Sequence, residues 1–244
     1  MYSLLLLPLV IANTLLVVWL IRSWIRHRDW LLLVTLLPMI ALPYDTAIVG
    51  LGSTLGEGEL LRKLSAPRLI WFYLTVPLLL VIAGGITRRA EFVWSQSKGF
   101  MMVLCALAVG FLIYDWPRIF QVPTVYPACF EDVLRYVSSV SPEQACTPGQ
   151  AGIDAGGNVP WSGLVGMLTL LVVGVLLWWR RGWPWLTLGA IASAVLLGLQ
   201  NTPIGPLTTF YGDFVSMGSI VWTVIHFSSA AAETADARRR IGIV

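Results

Sequence analysis

The sequence predicts an all-α, polytopic membrane protein: a bundle of seven transmembrane helices, N-terminus outside and C-terminus cytoplasmic, with a small extracytoplasmic helical lid between helices four and five. Three observations predict it. Of 244 residues, 57% are hydrophobic and 12% charged, with mean hydropathy +0.78, whereas a soluble domain carries about 25% charged residues. Apolar runs of the roughly 20 residues needed to cross a hydrocarbon core recur along the chain. Lysine and arginine crowd alternate connections between those runs, and most of the 12 tryptophans lie at the run ends, where amphipathic rings favour the membrane interface. A water-soluble enzyme is excluded. The formal charge of +3, with no basic face, gives nucleic acid no footing either.

The first run, 4–21, has no positive residue ahead of it and is followed by Arg22, Arg26 and Arg28. No small-residue cleavage pattern ends it, so it reads as an uncleaved anchor. The second run, 31–51, contains Pro38 and Pro43. A Gly-rich connector then leads through Glu57 and Glu59 into a short interfacial helix, with Glu59 and Lys63 in the favourable i, i+4 order. The third run, 69–87, holds Pro77, and the fourth, 100–116, must end before Pro117. The remaining runs are 161–179, 185–200 and 207–229. One side of this arrangement collects Arg22, Arg26 and Arg28, then Arg88, Arg89 and Lys98, then Arg180 and Arg181, and finally Arg238 to Arg240; the other holds only Arg62, Lys63, Arg68, Arg118 and Arg135. The positive-inside rule makes the richer side cytoplasmic. With no internal repeat, residues 1–244 form a single transmembrane domain in the cell membrane, its partner the lipid bilayer.

The loop 117–160 falls outside and contains Cys129 and Cys146, in a compartment where a disulfide persists. Phe130, Val133, Leu134 and Val137 recur at helical spacing, and Ser141-Pro142-Glu143-Gln144 has the form of a capped helix start. The expectation is a two-helix lid stapled by Cys129–Cys146, whose closure contributes about 3 kcal/mol. Cys105, inside the fourth run, reads as a small apolar packing residue.

Several chemistries lack their residues. The only lysines, Lys63 and Lys98, lie in connections, so no retinal Schiff base forms. Acidic clusters for a metal-bound diphosphate are missing, as are CxxC, HExxH, GxSxG and P-loop patterns. His27 and His226 are the only histidines, and His27 sits in an arginine-rich connector. No metal and no cofactor are expected.

Acidic residues at membrane depth are functional hypotheses by default. Asp45 lies on the stripe Pro38, Ala41, Asp45, and Asp213 adjoins the stripe Gly212, Ser216, Ser219, Thr223. Small residues let membrane helices approach closely, so both carboxyl groups should face the bundle, at similar depth in the outer half. Glu57 and Glu59 are candidates for the rim, and Arg68 for neutralising Asp45 or holding an anionic headgroup. Asp115 stands at the end of the fourth run. Tyr44, Trp71, Phe72, Tyr73, Tyr114, Phe210 and Tyr211 would supply aromatic walls.

A carboxyl group in apolar surroundings disfavours its charged form and so keeps a proton to give, while ring faces stabilise a developing cation. Acid-initiated cyclisation, hydration or isomerisation of an isoprenoid or other apolar lipid follows, with Asp45 and Asp213 as the acid pair. In overall plan the chain resembles the small integral-membrane terpene cyclases, seven-helix proteins of similar length. That resemblance is architectural; it implies acid-started cyclisation and carries no site residue across. A proton- or cation-coupled carrier could use the same two aspartates, and a structural or accessory subunit could use the small-residue stripe and the lid as docking surfaces.

Overall fold

A computed structural model describes residues 2–121, 125–137, 140, 144–146, 161–199 and 205–240. Eight helices and one hairpin appear among them: α1 (Tyr2–His27), α2 (Trp30–Leu55), α3 (Glu59–Thr75), α4 (Leu78–Arg89), a 3-10 turn (Val93–Gln96), α5 (Lys98–Gln121), β1 (Tyr126–Phe130), β2 (Val133–Val137), α6 (Trp161–Arg181), α7 (Trp185–Gly198) and α8 (Gly205–Arg240). Five helices, α1, α2, α5, α6 and α8, are long and apolar enough to cross a membrane. Several long apolar helices are what a membrane protein carries, and the chain is mostly helical.

The expected third run is a broken one. Helix α3 begins ten residues earlier than that run, absorbing the interfacial helix, and bends by 46° into α4. Pro77 sits at the break, where its ring lacks an amide hydrogen and crowds the carbonyl one turn back. Counting the bent pair as one crossing gives six. The expected sixth run becomes α7, only 14 residues long, about 21 Å at 1.5 Å per residue; it is apolar but shorter than a full crossing. The expected seven crossings are therefore not reached: five helices qualify among the described residues, and six with the bent pair taken as one.

The all-α expectation fails at the lid. Where a helix was expected from Phe130 to Val137, β1 and β2 pair antiparallel, with Cys129 opposite Leu134 and Phe130 opposite Val133. A two-residue turn, Glu131–Asp132, joins them, with Glu131 at φ 50. The i, i+3, i+4, i+7 apolar spacing is too short here to separate helix from strand. Valines at both ends of β2 favour extended chain, and an isolated bridge pairs Ala128 with Ala145. The Cys129–Cys146 disulfide forms as expected and ties the chain there to β1. The second lid helix was placed from Ser141, which lies outside the described residues.

Two regions of core result. The larger joins α1, α2, α4, α6, α7 and α8 around Leu20, Leu32, Ile82, Ile86, Leu177 and Val224, all essentially inaccessible. Close approach in it depends on small residues, as at Gly189 of α7, where any Cβ would collide with Ser219 of α8. At the other end the hairpin sits on the helices. Val133 packs with Leu6, Val49 and Phe210, and Tyr136 with Ile48 and Leu61. Gly52 on α2 leaves its face bare for the Leu134 carbonyl, which would overlap any side chain there. Asp132 caps α1, accepting from the Tyr2 amide at 2.6 Å and the Ser3 hydroxyl at 2.8 Å.

Candidate functional site

Beneath the hairpin, α2 and α3 bring Asp45 and Arg68 together. The Arg68 Nε lies 2.8 Å from Asp45 Oδ1, with the arginine side chain 8% exposed and the aspartate 29%. Arg68 Nη2 also donates to the Tyr136 carbonyl of β2 at 3.3 Å. The ion pair meets off the hydrogen-bond axis, and Arg68 Nη1 is buried with no hydrogen-bond partner. The neutralisation of Asp45 by Arg68 expected from the sequence is thus present as a contact.

Asp213, half-buried on α8, lies within electrostatic reach of Asp45. No hydrogen bond or ion pair reaches it from the described residues. Arg135 on β2 is a second cation over the same cluster: burial pushes its guanidinium down to about 10, the like charge of Arg68 adds to that, and Asp45 opposes it. It therefore remains charged at neutral pH. The cluster is two aspartates from α2 and α8, and two arginines from α3 and the hairpin.

The other sequence candidates divide by position. Tyr44 packs at this end and donates its hydroxyl to the Leu64 carbonyl at 2.7 Å; Tyr73 joins the same apolar group. Phe210 is buried against Leu6 and Val133, with Tyr211 beside it and its hydroxyl donated to the Leu5 carbonyl at 3.0 Å. Trp71 and Phe72 are partly exposed on α3, Trp71 donating to the Leu37 carbonyl at 2.7 Å. Tyr114 is exposed on α5, whereas Asp115 next to it is fully buried and accepts from the Ser162 hydroxyl at 2.6 Å. This joins α5 to α6 and lies apart from the Asp45 cluster. Glu59 forms exposed pairs with Arg62 at 2.8 Å and Lys63 at 3.6 Å, and Glu57 is exposed on the connector before it.

Sequence reasoning missed two contributors. Arg135 was counted only as a loop charge, although its setting in Val133-Leu134-Arg135-Tyr136-Val137 is an arginine in an apolar segment, a signal for a buried partner. Asn13 in the first run was not singled out; it is 1% exposed and donates to Thr46 Oγ1 at 3.3 Å, one residue from Asp45. No group of His, Cys, Asp and Glu able to hold a metal occurs among the described residues. No family model, curated protein or solved structure matches this chain.

Proposed function

We propose that the chain is a multi-pass protein of the cell membrane, with the hairpin end outside, that performs acid-initiated chemistry on an apolar lipid at the Asp45–Asp213 cluster. The observation that carries the reading is Asp213 itself, a carboxyl group at membrane depth with no bonded partner among the described residues, beside an aspartate already held by a buried arginine. The two aspartates then divide the work. Arg68 holds the Asp45 carboxylate in place; Asp213 gives its proton to a carbon–carbon double bond. A C–H bond forms at one alkene carbon and positive charge develops at the other, where the Asp45 carboxylate and the ring faces of Tyr73 and Phe210 oppose it. Loss of a proton from a neighbouring carbon to the Asp213 carboxylate closes the cycle, giving an isomerised or cyclised product without any cofactor.

Sidedness is supported by the arginine-rich opposite end and by the disulfide on the hairpin, which persists in an oxidising compartment. The test is turnover of polyprenyl lipids by purified protein in lipid nanodiscs, read by mass spectrometry of the products. Asp213→Asn should abolish conversion with the melting temperature unchanged, and Asp45→Asn should lower it by about 100-fold or more, the scale of a lost electrostatic stabiliser. Full activity in Asp213→Asn would remove the mechanism. A proton-coupled carrier, which could use the same pair, would instead show Asp213-dependent proton flux and no new product.

A further inference from the structure

The arginine-rich end carries a second constellation, unrelated to the aspartates. Helix α4 closes with the Phe92 amide donating to the Thr87 carbonyl at 3.2 Å and the Glu91 amide to Arg88 at 3.1 Å. This closure requires a left-handed residue just past the helix, the position glycine fills without strain. Helix α6 uses Gly182 there, at φ 65, whereas α4 uses Glu91, at φ 58. A glutamate at φ 58 is held against local preference, as is Arg28 at φ 51 just past α1. Glu91 lines a cavity of about 440 Å³ between the 3-10 turn and the end of α6, together with Trp94, Leu176, Trp179, Arg180 and Arg181. A neighbouring cavity of about 220 Å³ shares Glu91 and Arg181.

The charges there are available. Arg181 donates to the Ala90 carbonyl and stands 3.8 Å from Glu91, both side chains being largely exposed, a pair of little net strength. Arg180 lies 4.9 Å over the Trp179 ring and has no hydrogen bond or ion pair among the described residues. A simple anion would meet Glu91 and a simple cation would meet two arginines, so the lining suits a ligand carrying both signs. Its apolar wall, Leu176 and Trp179, continues down the exposed side of α6 through Val175 and Val172, where acyl chains would lie.

We infer that this cavity binds the headgroup of a zwitterionic phospholipid, with the phosphate on Arg180 and Arg181 and the ammonium on Glu91 and the Trp94 face. Basic pockets between membrane helices are known headgroup sites, and the carboxylate adds the second half of the recognition. The experiment is native mass spectrometry of the full chain in detergent with phosphatidylethanolamine and phosphatidylglycerol of identical acyl chains. The wild type should retain phosphatidylethanolamine about tenfold better, the scale of one charge-assisted hydrogen bond. Glu91→Gly, which relieves the backbone, should keep or raise the melting temperature and erase the preference while leaving phosphatidylglycerol bound. Arg180→Gln should weaken retention of both lipids, and Asp213→Asn, at the far end, should change neither. Equal retention of the two lipids by the wild type, or an unchanged preference in Glu91→Gly, overturns the inference. Displacement of the lipid by soluble glycerophosphoethanolamine at equal concentration would overturn its lipid half.

Discussion

Arg68 shows how one residue can hold two elements to a third. Its guanidinium joins α3 to Asp45 of α2 and to the backbone of β2, in a setting where water supplies little of the lost solvation. Removing one member of a buried pair leaves the other uncompensated, which costs about 3–5 kcal/mol. Asp45 retains some exposure, so Arg68→Met should fall near the lower bound. In thermal unfolding, Asp45→Asn introduced together with Arg68→Met should recover part of that loss, because no charge is then stranded. Strictly additive effects would show that the two side chains do not interact. Asp45, Arg68 and Asp213 were legible in the sequence because an ionisable residue in an apolar run is conspicuous. Arg135 carried a weaker signal, since its run is only five residues long and its place over the cluster depends on a turn that sequence spacing does not reveal.

Among the elements, the hairpin departs furthest from expectation. Its apolar positions fit a helix as well as a strand, and what decides between them is non-local: the bare surface at Gly52, the bridge to Ala145 and the link from Cys129 to Cys146. The cysteine pairing itself was readable from the compartment and the count. Alkylation without reductant should leave Cys129 and Cys146 unmodified, while reductant should open them and lower the melting temperature, the lost closure being worth about 3 kcal/mol. Labelling of Cys129 or Cys146 in the unreduced protein would contradict the link. Pro77 was visible in the sequence, but a proline can kink a membrane helix or divide it, and only the packing around α4 shows that here it divides one. Helix α7 ends at Gly198, two residues short of the run expected to 200, and position 200 lies outside the described residues.

Over the whole molecule, charge separates along the bundle. Arg89 pairs with the buried Asp29 at 2.7 Å at one end, and the same end carries Arg88, Arg180 and Arg181, whereas at the hairpin end Arg68 is buried against Asp45. This asymmetry makes sidedness testable in cells. In a Cys105→Ala background, Glu57→Cys should react with a membrane-impermeant maleimide in intact cells, and Val93→Cys, 90% exposed at the opposite end, only after permeabilisation. The reverse pattern would invert the proposed orientation. The mostly helical character of the chain and its several long apolar helices were readable from composition and spacing, since both are properties of whole segments. Where crossings bend, shorten or acquire a strand cover depends on contacts between distant residues.

One such contact bears on the order in which the protein is made. The opening amides of α1 are satisfied by Asp132, 130 positions further along. At a synthesis rate of about 5–20 residues per second, about 7–26 s must pass before that residue is made. Until then those donors are left to water and lipid headgroups, and the start of α1 becomes joined to the hairpin only once the hairpin is made.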